Sequence, residues 1–349
     1  MSAAAEPLLR VEDLRVEFPT EDGVVHAVDG ITYEVAPGGT LGIVGESGSG
    51  KTVSSLTTMG LTRAQGARIS GRILFEGRDL LTLSEREMRT VRGNDIAMIF
   101  QDPLSSLHPF FKVGAQLAEA VRAHQDTSKA KALQRAVELL ALVGIPDPAR
   151  RAQEYPHEFS GGMRQRAMIA MALANEPKLL IADEPTTALD VTVQAQILAL
   201  MERLQSELGM AIVIITHDLG VVAEMADDIA VMYSGRIVEI ASAASIFARP
   251  EHPYTWGLLR SIPTLAGPRE AELEPIPGTP PSLINRPSGC HFHPRCPYAQ
   301  PDHARIDPAL EPVAGEPSHQ VACLLAPDER RRIWSEQQRA RSTAAEAQR

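Results

Sequence analysis

The chain has 349 residues, a formal net charge of −10 and a pI near 5.5. Its length allows one large domain with an extension, or two domains, so the size of the core is not limiting. The negative charge argues against broad nucleic-acid binding, which needs a basic surface that displaces counterions. No apolar run approaches the ~18 residues of a membrane span, and residues 1–7 do not resemble a secretory signal, so we expect a soluble protein.

Two loosely alternating apolar stretches, residues 8–18 and 24–35, predict strands of an antiparallel sheet at the edge of the fold. A buried strand at 40–44 then leads into a pattern of the form GxxxxGK(S/T), which opens a helix at 51–61. This strand–loop–helix context is the one that a phosphate-binding loop requires. The loop reads Gly45-Glu46-Ser47-Gly48-Ser49-Gly50-Lys51-Thr52.

The chemistry of this loop favours a nucleotide. Gly45, Gly48 and Gly50 let the backbone bend so that its amides can form a nest around phosphate oxygens. Lys51 can reach the β- and γ-phosphates, and the Thr52 hydroxyl can ligate Mg²⁺. We therefore count Ser47 and Ser49 with the glycines as ATP-binding positions.

Beyond the loop, the pattern predicts a strand at 69–75 and a second buried strand at 95–100 that ends in Gln101. Two helical patterns within 113–145 follow, and they predict a helical subdomain that spans about 104–176. A glutamine at a strand end is either a surface amide or a ligand, and its residue type alone leaves both open.

A second phosphate-binding turn is predicted at Ser160-Gly161-Gly162. Ser160 can cap the helix that follows, which contains Gln165, and the two glycines let backbone N–H groups approach an anion. An apolar strand then ends in two acids, Asp183 and Glu184.

Asp190 follows these acids and precedes a helix at 191–208, and a further buried strand at 211–216 ends at His217. Parallel strands carry ligands at their carboxyl ends, so we expect His217 and the two acids to open on one crevice. A hairpin at 228–241 about Ser234-Gly235 completes the predicted core.

In this order, these motifs resemble the ATP-binding subunits of ABC transporters over residues 8–241. The stretches 155–166 and 252–259 further resemble the oligopeptide, dipeptide and nickel importer ATPases, a likeness that extends to about residue 325. The resemblance implies an α/β fold, namely an ABC-type P-loop ATPase over residues 1–241. Its parts would be a RecA-like core, an antiparallel β edge sheet and an inserted helical subdomain.

The resemblance also implies roles in ATP hydrolysis. Phe18 would stack on adenine, and Mg²⁺ would be held by Thr52, Gln101 and, through water, Asp183. Glu184 would polarise the attacking water, which Gln101 also contacts, while His217 would hold the γ-phosphate. The signature residues would complete the site of a second subunit, with a D-loop at Asp190; they are Ser160, Gly161, Gly162 and Gln165.

The partners implied are two transmembrane permease subunits, a second ABC ATPase subunit and, indirectly, an extracytoplasmic solute-binding protein. The loop 102–108 would sense the permeases, and the protein would lie peripherally at the cytoplasmic face of the cell membrane. Three alternatives stay open: import of nickel or another small solute, a soluble ABC ATPase acting on ribosomes or DNA, and a nucleotide-binding module without turnover. A small-molecule P-loop kinase would lack the Ser-Gly-Gly turn and Gln101.

The C-terminal extension, residues 242–327, should be irregular, because 13 of the 26 prolines fall within 263–317. A polar tail at 328–349 is predicted to be an exposed helix that frays. All three cysteines lie in the extension, which predicts a local iron–sulfur or zinc site formed by Cys290, Cys296 and Cys323, with His303 as the candidate fourth ligand.

The alternative for these cysteines is three reduced thiols without a metal. Competing donors are His291, His293 and His319. Resemblance to the peptide importers implies a [4Fe–4S] cluster, because members often carry four cysteines in this region, and His303 stands where the third is expected.

Overall fold

The computed structural model describes residues 6–101, 106–187, 189–261 and 276–347. Its strands are β1 (Leu9–Thr20), β2 (Gly23–Val35), β3 (Thr40–Val44), β4 (Arg68–Phe75), β5 (Arg78–Asp79), β6 (Ile96–Ile99), β7 (Leu179–Asp183), β8 (Ala211–Thr216), β9 (Asp228–Tyr233), β10 (Arg236–Ser242), β11 (Glu311–Val313) and β12 (Glu316–Val321). Its helices are α1 (Lys51–Thr58), α2 (Glu85–Val91), α3 (Val113–Arg122), α4 (Lys129–Leu142), α5 (Pro148–Arg151), α6 (Gly161–Ala172), α7 (Val191–Leu208), α8 (Leu219–Met225), α9 (Ala243–Ala248), α10 (Pro253–Arg260) and α11 (Pro327–Ala347).

Two sheets organise these elements. A 4-stranded antiparallel sheet has the order β2-β1-β4-β5, and an 8-stranded sheet has the order β11-β12-β10-β9-β3-β8-β7-β6. In the larger sheet β9, β3, β8, β7 and β6 run parallel. Four strands of this group, β3, β6, β7 and β8, have every residue buried, which explains their continuous apolar runs. The carboxyl ends of β3, β6, β7 and β8 therefore meet at one edge of the sheet.

Side chains of these four parallel strands alternate between two hydrophobic cores. On one face Ile99, Leu180 and Ile214 pack against helices α3, α4, α6 and α7. On the other face Ile181 and Val213 pack beneath the antiparallel sheet. The inserted helices thus lie on the opposite face from the small sheet, between β6 and β7 in the chain, while residues 104–105 of the predicted subdomain lie outside the described residues.

The extension is more regular than predicted. Among its described residues, 276–310 carry neither helix nor strand, but β11 and β12 continue the main sheet beside β10. The predicted C-terminal helix forms as α11 and most of its described residues are exposed, but Ile333 and Trp334 are buried. Trp334 stacks on Trp256 of α10, with ring centroids 6.3 Å apart, and this apolar contact outweighs the many charges of the helix.

A buried polar contact joins the extension to the sheet. Glu239 on β10 is fully buried, and its carboxylate accepts hydrogen bonds from the backbone N–H groups of Glu251 (2.6 Å) and His252 (3.0 Å). The Nε2 atom of His319 on β12 lies 2.8 Å from the same carboxylate. Because the contact links β10, α10 and β12, it fixes where the extension sits on the sheet.

Within the ranges that the structure describes, no helix combines the length and the apolar character needed to cross a membrane.

Candidate nucleotide-binding site

The predicted phosphate loop connects β3 to α1 at the carboxyl edge of the sheet. Gly45 and Gly50 have positive φ values of 155° and 102°. A Cβ atom at either position would lie 2.2 Å from a backbone carbonyl oxygen, that of Met232 or Ala27 respectively. Only glycine fits at these two positions, so the sequence pattern of the loop follows from its close packing against the neighbouring backbone.

Lys51, the first residue of α1, is 5% exposed and reaches back over the loop. Its Nζ donates to the carbonyl oxygens of Gly45 at 2.6 Å and Glu46 at 2.9 Å. Burial lowers the pKa of Lys51, while the carboxylates of Glu184 and Asp183 oppose that shift. The ammonium group is therefore held at the loop, between the backbone carbonyls and the two acids.

Asp183 at the end of β7 is 2% exposed. Its Oδ1 accepts a hydrogen bond of 3.2 Å from the Thr52 hydroxyl, and burial raises the pKa of Asp183 despite that bond. A hydroxyl and a carboxylate held this close are the oxygen ligands that Mg²⁺ prefers beside a phosphate. These two residues thus fit the metal that ATP hydrolysis requires.

Glu184 is the point where the predicted catalytic residues meet. Its carboxylate accepts hydrogen bonds from Gln101 Nε2 and Thr187 Oγ1, both at 2.9 Å, and lies 3.2 Å from His217 Nδ1. Burial would raise the pKa of Glu184, but the hydrogen bonds from Thr187 and His217 outweigh it, so the pKa is lowered overall. The carboxylate is ionised and can accept a proton from water.

The backbone of Glu184 is itself unusual. Its φ is +48°, a left-handed conformation that non-glycine residues rarely adopt, and its N–H donates to the carbonyl of Ile215 on β8 at 2.8 Å. The strand-to-loop bend places the side chain over the carboxyl edge of the sheet.

Phe18, predicted to stack on adenine, lies on β1 opposite Val25 and is half-buried against the core beneath the small sheet.

The predicted second phosphate turn forms a separate cleft of about 380 Å³. Ser160 accepts a hydrogen bond of 3.3 Å from Met163 N and caps α6, and Asp190 caps α7 in the same cleft. None of residues 45–52 lines this cleft, which therefore holds no part of the chain's own phosphate loop. Gln165, expected with the signature residues, is 2% exposed and packs inside the helical unit.

The two glycines of this turn differ in the space around them. A Cβ atom on Gly161 would have Leu189 as its nearest neighbour at 3.8 Å, an ordinary van der Waals distance. A Cβ atom on Gly162 would lie 2.9 Å from the Val193 side chain. Gly161 can therefore be substituted without disturbing the chain itself.

Sequence reasoning missed two residues that contact the site. Thr187 lies between the two predicted acids and Asp190, and its hydrogen bond to Glu184 depends on the turn that follows β7. Tyr254 of α10 accepts a hydrogen bond of 2.8 Å from the backbone N–H of Glu46 in the phosphate loop. These partners are 208 positions apart, so the contact leaves no local signal in the sequence.

The predicted four-ligand metal site in the extension is not formed. Cys290, Cys296 and Cys323 pack against a core of aromatic residues, and burial raises the pKa of Cys296 to about 12 and that of Cys323 to about 11. His303 is 6% exposed, and its Nδ1 accepts a hydrogen bond from Gln300 N. In the described ranges, no group of three or more His, Cys, Asp or Glu side chains is arranged to hold a metal. The described residues therefore give no support to the predicted iron–sulfur or zinc site.

The parallel strands therefore carry a phosphate loop, a magnesium-type pair of oxygen ligands and a hydrogen-bonded acid, with a Ser-Gly-Gly turn on an inserted helical unit. This fold and site define a P-loop ATPase of the ABC class.

Family models support this class and refine it. A model described as ABC transporter matches residues 28–187, and one described as Oligopeptide/dipeptide transporter, C-terminal region matches residues 238–302. The oligopeptide transport ATP-binding protein OppD of Bacillus subtilis is 55% identical over 92% of this chain and 90% of its own length. The dipeptide transport ATP-binding protein DppD of Escherichia coli K12 is 52% identical over 88% and 94%, respectively. The chain belongs to the family of ATP-binding subunits of oligopeptide and dipeptide ABC transporters.

Solved structures agree on the fold. The cbiO1 protein of Clostridium perfringens, part of the ABC transporter complex cbiONQ, is 30% identical with a TM-score of 0.59. It covers 70% of this chain and 92% of its own. The ATP-binding cassette MJ0796 has a TM-score of 0.60 at 24% identity, covering 67% and 98%, and supports the fold alone.

Proposed function

We propose that this chain is the ATP-hydrolysing subunit of an ABC importer for dipeptides or oligopeptides. One observation carries the proposal: the ionised carboxylate of Glu184, held by Gln101, Thr187 and His217 at the carboxyl edge that also bears the phosphate loop. The substrate class rests on the relatives, which are oligopeptide and dipeptide transport ATP-binding proteins.

In this function ATP lies with its phosphates on the amides of residues 45–52 and its adenine against Phe18. Lys51 exchanges its carbonyl partners for phosphate oxygens. Thr52, Gln101 and, through water, Asp183 would hold Mg²⁺, which would neutralise charge on the phosphates when bound.

The acid and the histidine then act on the attacking water. Glu184 orients it and accepts its proton, which the lowered pKa permits because the carboxylate is ionised at neutral pH. His217, whose Nδ1 faces Glu184, presents its ring to the γ-phosphate. Catalysis is mainly positioning and electrostatic stabilisation.

The separate cleft at Ser160, Gly161 and Asp190 requires a partner. We propose that it completes the ATP site of a second ATPase subunit. The N-terminus of α6 has accessible amides that can bind an anion, and the chain's own phosphate loop, which would hold its ATP, does not line this cleft. The pair would dock peripherally on two permease subunits at the cytoplasmic membrane face, and an extracytoplasmic solute-binding protein would deliver the peptide. Residues 102–105 of the loop proposed to sense the permeases lie outside the described residues.

Two substitutions test the reaction. Glu184→Gln should retain ATP binding and lower hydrolysis by about 10²-fold or more, because the amide keeps the shape but cannot accept a proton. Lys51→Ala should instead weaken nucleotide binding, because it deletes a charge that pairs with phosphate. Both are measured as MgATP affinity of the full chain and as hydrolysis in the assembled transporter.

The matched control is Glu202→Gln, which makes the same chemical change at an exposed position on α7. It should hydrolyse ATP like the parent. Turnover of Glu184→Gln within about twofold of the parent would remove Glu184 from the catalytic role.

A further inference from the structure

A residue of the C-terminal extension forms an ion pair with the phosphate loop. Arg295 forms a two-pronged ion pair with Glu46, the residue after Gly45 in the loop: Nη1 to Oε2 is 2.7 Å and Nη2 to Oε1 is 3.0 Å. The two residues are 249 positions apart. Such fork-to-fork pairing fixes orientation as well as distance, so the loop is held from outside the ATPase core.

Arg295 is anchored firmly in the extension. Its side chain is 5% exposed, and its Nε donates to the carbonyl of Pro277 at 2.8 Å. Its guanidinium lies 5.8 Å from the centre of the Tyr233 ring. Burial would lower the pKa of Arg295, but hydrogen bonds to Glu46 and Tyr233 outweigh it and raise the pKa, so the cation is permanent.

Glu46 is fixed on its backbone as well as its side chain. Its N–H donates to the Tyr254 hydroxyl at 2.8 Å, and its carbonyl oxygen accepts from Lys51 at 2.9 Å. Tyr254 is fully buried, with its ring 4.7 Å from that of Tyr233. One turn of the phosphate loop is thus clamped between the extension and the lysine proposed to meet the phosphates.

The chemistry of Glu46 gives this clamp a consequence for binding. A carboxylate in a loop that binds a polyanion opposes binding unless a cation neutralises it. Arg295 supplies that cation without occupying the loop itself.

We propose, on the basis of the proposed ATPase function, that Arg295 is a positioning residue for ATP. It neutralises Glu46, so that the loop whose amides receive the phosphates carries no uncompensated negative charge. Through Arg295, the extension therefore contributes to the affinity of the ATPase core for ATP.

The test is a double-mutant cycle with MgATP as the probe, measured by titration of the full-length chain. Arg295→Ala leaves the carboxylate uncompensated and should weaken binding about tenfold. Glu46→Gln alone should tighten binding by about threefold, because the cation is then unpaired near the phosphates. The double variant should return to within about threefold of the parent, and Arg295→Lys, which keeps the charge but loses the fork, should fall between parent and Arg295→Ala.

A purely structural role for Arg295 predicts a different pattern. Arg295→Ala and the double variant would then be equally weak, because neutralising Glu46 cannot repair a displaced extension. That equality, or weaker binding by Glu46→Gln, would overturn the proposal. Glu46→Gln leaves the carbonyl contacts of Arg295 in place, so it reports on the charge even where Arg295→Ala does not fold.

The matched control is Arg286→Ala. Arg286 also joins the extension to the core, through an ion pair of 2.6 Å with Asp29 on β2, but it does not contact the phosphate loop. It should change MgATP affinity by less than twofold. A parent chain that does not bind MgATP would refute the proposed function, whereas binding that is unchanged across all variants would refute the role of Arg295 alone.

Discussion

Removing the buried carboxylate of Glu239 should detach the extension from the sheet. Glu239→Ala leaves three donors without an acceptor, namely the N–H groups of Glu251 and His252 and the ring of His319. Each unsatisfied buried group costs about 1–3 kcal/mol. For three such groups we therefore expect a loss of about 3–9 kcal/mol in the free energy of unfolding.

Glu239→Gln should be milder. Its single carbonyl oxygen can keep the two bonds made by Oε1, to Glu251 and His319, but its amide then faces the N–H of His252. One unsatisfied donor corresponds to a loss of about 1–3 kcal/mol. The free energy of unfolding should therefore increase from the alanine variant to the glutamine variant to the parent, following the number of hydrogen-bond acceptors that remain.

Denaturant unfolding followed by tryptophan fluorescence measures this loss directly. Both tryptophans of the chain, Trp256 and Trp334, lie in the core of the extension, so the signal reports on the part that should detach. Glu207→Ala, which removes an exposed partner of Arg203, is the control and should change stability by less than about 0.5 kcal/mol. A loss below about 1 kcal/mol for Glu239→Ala would refute the count of unsatisfied donors.

Two further predictions concern pH and assembly. Burial first, and then the charge of Arg330, lower the pKa of His252 to about 3, so protonation favours the unfolded chain as pH falls below the ordinary value of 6.5. Between pH 7 and pH 5 the parent should lose about 2 kcal/mol by this route. His252→Asn, which keeps an acceptor for Tyr254 N, should abolish that loss in denaturant titrations, and an unchanged pH dependence would contradict it. Gly161→Asp should stop hydrolysis in the assembled pair while single-chain MgATP binding stays intact, with Gly161→Ala as the uncharged control. Lost single-chain binding would mean that the turn acts within its own chain.

Much of the ATPase core was predictable because its signals are local. The strand 211–216 and the helix 191–208 have the predicted bounds, since Asp190 caps the helix and Gly209 ends it in a left-handed conformation. The loop, the two acids, Gln101 and His217 follow strands whose apolar runs mark them clearly. Parallel strands then bring these residues together by geometry alone.

The extension was harder because its structure depends on distant partners. The segment Glu311–Val313 is short and contains a proline, and only its pairing with β12 makes it a strand. Trp334 sits in a strongly charged helix, so its burial is visible only once Trp256 is placed opposite it. Clustered cysteines predicted a metal by analogy, but their apolar surroundings depend on which aromatic residues fold over them.

The pairing of β12 with β10 also matters for how this chain behaves on its own. Val238 O accepts a hydrogen bond from Ala322 N, and Ile240 is paired with Gln320. A chain truncated after Ser242 would expose these backbone groups along an open sheet edge, which is a template for adding a strand from a second molecule. The extension therefore protects the ATPase core from aggregation, because it covers this edge. A protein shortened to its ATPase core would keep the sheet but expose an unpaired strand edge that favours association with other molecules.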